Sequence, residues 1–153
     1  YTRTARNKTP RMYDEDSSKK LKIGKGSKLR EGSDVAIIAC GVMVSEAIRA
    51  AEELSKNGVE ATVVDMHTIK PLDTDLIDEL VQECGGIVTA EDHSVIGGLG
   101  SAVSEHVSYR GGVPVRMVGV SDRFGESGEP GELMDLMGIT YGDIVDSCES
   151  LLS

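Results

Sequence analysis

The densest chemistry in this chain lies in T-A-E-D-H-S-V-I-G-G-L-G, residues 89–100. An apolar segment, Gly86 to Ala90, runs straight into Glu91, Asp92 and His93, and a turn rich in glycine (Gly97, Gly98 and Gly100) then opens a helical pattern. In a parallel α/β sheet this places polar side chains at the carboxyl end of a strand, where such sheets keep their binding crevices. The glycines allow close approach of backbone. The helix start after Gly98 offers N–H groups to an acceptor. The loop is therefore expected to pack at a domain or subunit contact, with His93 hydrogen-bonded to a carboxylate or a backbone group. The competing reading is a solvent-exposed turn whose glycines only satisfy backbone torsions.

A metal centre is not indicated, because His67, His93 and His106 fall on different predicted elements and no pair has ligand spacing. The first predicted strand leads into C-G-V-M-V-S, not a dinucleotide fingerprint. There is no Walker loop, G-x-S-x-G elbow, H-E-x-x-H or C-x-x-C. Three dispersed cysteines, Cys40, Cys84 and Cys148, fit reduced structural thiols rather than a disulfide framework.

The elements that must position the loop can be read from periodicity. Asp34 to Cys40 is a nearly continuous apolar run, as expected for a strand covered on both faces. Val44, Ala47, Ile48, Ala51 and Leu54 then repeat at helical spacing up to Gly58. Strands are predicted near 61–66, 86–91 and 114–120, with helices over 74–81, 99–109, 132–137 and 140–152. Thr140 and Asp143 form a capping-box pattern. Four strands separated by helices argue for a parallel, doubly wound sheet. The predicted class is a three-layer α/β/α domain over residues 19–153, with residues 1–18 as an extended linker.

The chain carries 153 residues and a net charge of −10, with its bases concentrated in residues 1–30. Such acidity disfavours nucleic acid and anionic membranes as main partners. No apolar run reaches the ~18 residues of a membrane span. The polar, basic start at Tyr1 shows no signal peptide, and a cytoplasmic fragment or processed chain is the expectation.

Taken in order, several motifs resemble the C-terminal domain of transketolase, preceded by the end of its pyrimidine-binding domain. They are Y-T-R-T-A-R at 1–6, I-G-K at 23–25, L-R-E-G-S-D-V at 29–35 and A-C-G-V-M-V-S-E-A at 39–47. V-D-M-H-T-I-K-P-L-D at 64–73, T-A-E-D-H-S-V-I-G-G-L-G-S-A-V at 89–103 and D-R-F-G-E-S-G at 122–128 complete the set. Related domains occur in deoxyxylulose-phosphate synthase and in the beta subunit of 2-oxo acid dehydrogenases, but the E-D-H and D-R-F-G-E-S-G forms favour transketolase.

The resemblance implies a mostly parallel five-stranded sheet with one antiparallel strand, for which Lys28 to Arg30 and Lys20 to Ile23 are the candidates. It implies a transferase of the pentose phosphate pathway, active as a dimer, that moves a two-carbon ketol unit between sugar phosphates with thiamine diphosphate and Mg2+. The cofactor is held by the other domains. This chain lacks the family's G-D-G motif, so by itself it is expected to bind no cofactor and to be inactive. The expected partners are the N-terminal thiamine-binding domains or subunit, in a homo-oligomer of the complete enzyme. By the same resemblance Arg3 grips the substrate phosphate, with Arg6 a weaker candidate; a planar guanidinium suits that task. Two other roles compete with assembly and shaping of the active-site rim. One is a docking module, as in the 2-oxo acid dehydrogenase beta subunit. The other is a small-ligand regulatory domain using the Glu91–Gly100 crevice.

Overall fold

The structure, a computed structural model, describes residues 1–5 and 9–153. Arg6 lies outside the described residues.

Residues that read as continuous apolar runs form the central strands. These are β2 (Val35–Ala39), β3 (Ala61–Asp65) and β4 (Ile87–Ser94), flanked by β1 (Ser27–Arg30) and β5 (Val115–Val120). The sheet order is β1-β3-β2-β4-β5, with β1 antiparallel to β3 and every other pair parallel. All five residues of β2 and of β3 are buried, as expected where helices cover both faces.

Side-chain alternation divides the core in two. On one face Val35, Ile37, Ala39, Val63 and Val88 meet α2 (Met43–Lys56) and α6 (Tyr141–Leu152), with α5 (Pro130–Met137) contributing Met134 and Met137 at the margin. On the other, Ala36, Ile38, Val64 and Ile87 meet α3 (Thr74–Glu83) and α4 (Leu99–Arg110). Ile37 and Ile38 are each fully buried. Each contributes roughly 1.5–3 kcal/mol by removal of its side chain from water. This is the three-layer, mostly parallel arrangement expected. Among the described residues no helix is long and apolar enough to cross a membrane.

Of the two antiparallel candidates, the one near Lys28 to Arg30 forms the strand. Its Leu29 packs on the core, and the Lys28 amine lies 2.8 Å from Glu79 and 3.2 Å from Glu83 of α3. Lys20 to Ile23 forms no strand; it leads into a turn and leaves Ile23 exposed. Residues 1–18 are not extended throughout. Glu15–Ser18 close one helical turn, α1, because the Asp14 carboxylate accepts the Ser17 N–H while the Ser17 hydroxyl accepts the Asp14 N–H. The predicted box at Thr140 and Asp143 is present at the start of α6.

Candidate functional site

Strand β4 stays paired with β2 only as far as Ala90, and it rejoins β5 at Ser94. Glu91 sits at that departure and points inward, 1% exposed. Its Oε2 accepts the Leu99 N–H and its Oε1 the Gly100 N–H, both at 2.8 Å. Helix α4 has no acidic residue in its first turn and no capping bond from Gly98. The carboxylate eight residues upstream does that work, bringing negative charge to the positive end of the helix. Gly98 is required by space: a Cβ there would overlap the Glu91 carboxylate. At Gly100 a Cβ would come within 2.6 Å of Met117 Sδ and 2.8 Å of Thr89 Oγ1. Gly97 takes φ +76°, and its N–H donates to Ser101 Oγ at 2.8 Å. Ser101 Oγ in turn donates to the Val95 carbonyl, so the loop is closed on itself.

Asp92 and His93 face outward. His93 Nδ1 lies 2.7 Å from the Ser94 carbonyl, to which it donates, and 3.8 Å from Glu91 Oε2. Arg3 reaches the same edge. Its Nη2 donates to the Asp92 carbonyl at 2.6 Å, joining residues 89 apart in sequence. That bond uses one of the five N–H donors of a guanidinium.

The structure adds residues to this edge that sequence reasoning had not singled out. Tyr13 Oη donates to Asp65 Oδ2 at 2.7 Å. Asp65 ends β3 and is 7% exposed, and its Oδ1 has no partner among the described residues. Burial pushes this carboxyl above the usual range, opposed by the Tyr13 bond and by nearby His67. Cys40, just beyond β2, is driven up to about 12 by burial and then by the charge of Glu91, with Arg3 acting the other way. A thiol so raised is protonated at neutral pH. A signal for Asp65 was available: like Glu91, it is a carboxylate terminating an apolar run. Its partner Tyr13 carried none.

The first residues also wall a groove of about 630 Å³, lined by Ala5, Pro10, Val42, Arg49, Met134 and Met137 among others. The remaining histidines lie elsewhere. His67 Nδ1 is 3.0 Å from Thr68 Oγ1, and His106 Nε2 is 2.6 Å from Asp78 Oδ1, joining α4 to α3. Among the described residues no group of three or more His, Cys, Asp or Glu is placed to hold a metal ion.

Comparison with known proteins agrees with this architecture. The family described as "Transketolase, C-terminal domain" matches residues 24–144. A 6-deoxy-6-sulfo-D-fructose transketolase subunit from Clostridium sp. strain MSTE9 is 45% identical over 95% of this chain and 44% of its own length. A putative transketolase C-terminal section from Methanocaldococcus jannaschii is 41% identical over 91% of this chain and 43% of its own. A 1-deoxy-D-xylulose-5-phosphate synthase from Trichormus variabilis is 44% identical over 86% of this chain, but only 21% of the synthase is covered. Among solved structures, a split-gene transketolase described as an inactive beta4 tetramer superposes with TM-score 0.91 and 44% identity, over 96% of this chain and 48% of that one. The chain thus spans less than half the length of the relatives it resembles over most of its own. The family match spans residues 24–144, well over half of the sequence, and this chain belongs to the transketolase C-terminal domain family.

Proposed function

We propose that this chain is the C-terminal portion of a thiamine-diphosphate-dependent transketolase, which transfers a two-carbon ketol unit between sugar phosphates in the cytoplasm. The portion serves assembly and the rim of the active site and does not itself hold the cofactor. The observation that carries this reading is the Glu91 carboxylate seated on the Leu99 and Gly100 N–H groups. A helix start beyond a parallel strand is the ordinary place for a diphosphate. Here an internal anion already occupies it, and the sequence has no G-D-G motif. The residues present do not fit thiamine diphosphate and Mg2+, so both belong to the N-terminal domains or subunit.

Arg3 is the one substrate contact assigned to this chain, through the phosphate of the sugar. Its place on the Asp92 carbonyl supports that role, because the bond holds a flexible side chain at the sheet edge before substrate arrives. The exposed faces of Asp92 and His93 then serve as contact points for the preceding domain or a second subunit.

Calorimetric titration with thiamine diphosphate and Mg2+ tests the division of labour. No saturable binding is expected with this chain alone. Binding and ketol transfer are expected once the thiamine-binding portion is added. Cofactor binding by the chain alone would overturn the proposal. The synthase relative favours one second reading, a portion of a deoxyxylulose-phosphate synthase. Product analysis separates the two, since formation of 1-deoxy-D-xylulose 5-phosphate by the reconstituted enzyme would support the second. The sulfosugar named for the Clostridium relative is included as a second anionic donor.

A further inference from the structure

The segment ahead of β1 is tethered twice to the carboxyl edge of the sheet. Arg3 donates to the Asp92 carbonyl beyond β4, and Tyr13 donates to Asp65 at the end of β3. Between those points Thr9 and Pro10 wall the groove beside Val42, and Met12 packs against the core. Cys40 lies beyond β2, between the two anchored strands.

The two tethers differ in kind. The Arg3 bond is exposed, so water and substrate anions compete for it. The Tyr13 bond ends on a carboxylate that is 7% exposed and has a second oxygen without a partner among the described residues. Losing the phenol would leave that buried carboxylate with less solvation still. The buried tether is therefore the stronger of the two.

We propose that Tyr13 and Asp65 form a positioning latch: by fixing the segment at its base they hold Arg3 in place for the anionic end of the sugar, without touching substrate. The inference rests on the reading of Arg3 as the phosphate-binding residue. Tether length sets the size of the effect. With the latch closed, Arg3 is ten residues from its anchor at Tyr13. With it open, the next hydrogen-bonded anchor is Lys25, 22 residues from Arg3, whose amine donates to Asp73 Oδ1 at 2.9 Å. Because loop closure falls as the three-halves power of length, Arg3 should occupy its place about 3.3-fold less often.

The test uses the complete enzyme, this chain combined with its thiamine-binding portion. KM and kcat are measured for fructose 6-phosphate and for L-erythrulose, a ketol donor without phosphate. Tyr13→Phe and Asp65→Asn should each raise KM for the phosphorylated donor about three- to fourfold. The turnover number and the KM for erythrulose should stay at parent values. Arg3→Ala should raise the same KM further, and Tyr13→Phe should add nothing in that background. If Arg3→Ala raises KM while Tyr13→Phe and Asp65→Asn leave it unchanged, the latch is rejected and the reading of Arg3 stands. If Arg3→Ala also leaves KM unchanged, both fall. If the latch variants impair the two donors equally, or act additively with Arg3→Ala, the pair only stabilises the fold and the proposal is overturned.

Discussion

Two neighbouring helix starts on the carboxyl edge of the sheet solve the same problem differently. Helix α2 follows β2, and helix α4 follows β4, the adjacent parallel strand. Each is entered through glycine. At α2, Gly41 has φ +60° and open space around it, and Val42 makes no side-chain capping bond. At α4, Gly98 is extended and pressed against Glu91, whose two oxygens take the N–H groups of Leu99 and Gly100. The first glycine answers a torsional demand and the second a spatial one. A pattern of glycines therefore does not tell which helix start is available to a ligand; the buried side chain behind it does.

The largest test of this contrast is Glu91→Ala. It leaves two buried N–H groups without a partner and a void beneath them, and should cost about 3–4 kcal/mol in urea unfolding at pH 7. A cost under about 1 kcal/mol would mean that the α4 start is satisfied by other groups. Gly98→Ala should cost about 2–3 kcal/mol, because the methyl group displaces the carboxylate. In the Glu91→Ala background most of that penalty should vanish, a coupling that a double-mutant cycle reads directly. Gly41→Ala meets no neighbour and should cost only about 1 kcal/mol, the strain of a left-handed torsion. That penalty should be the same with or without Glu91.

The smallest effect joins the two turns. The Cys40 thiol at the α2 turn is raised to about 12, by burial first and by the Glu91 charge second. A raised thiol is neutral below its pKa, so Cys40 should resist iodoacetamide through pH 9 in the native chain. Glu91→Gln removes the negative charge, lowers the titration midpoint and should speed alkylation of the Cys40 peptide at pH 9, followed by mass spectrometry. An unchanged rate would show that the two turns are electrostatically independent.

The sheet was legible because burial on both faces writes itself as continuous apolar runs: residues 34–40 predicted the strand Val35–Ala39, and 61–66 predicted Ala61–Asp65. Helix bounds agreed within a few residues for the same reason of periodicity. The strand near 86–91 continues to Ser94, since after leaving β2 it pairs again with β5, and no local signal marks that return. The helical turn at Glu15–Ser18 was missed although Asp14 and Ser17 are spaced for a capping box. At the candidate site, sequence reasoning supplied an acceptor-seeking helix start and a polar strand end. It did not join them, because the loop from Asp92 to Gly98 must fold back before Glu91 can reach Leu99. The Tyr13 bond to Asp65 spans 52 residues and has no periodic trace.

The antiparallel β1 has a consequence for solubility. It is four residues long and carries Lys28 and Arg30, so it ends the sheet with a short strand whose charged side chains resist addition of another strand. Beside it in the sheet lies β3, A-T-V-V-D, buried throughout and uncharged until its last residue. A version of the domain trimmed to begin after Glu31 would bare that strand as a flat edge, a template for pairing between molecules. Such a version should precipitate on concentration even where its core remains intact. Any shortened form intended to stay in solution must keep Ser27–Arg30.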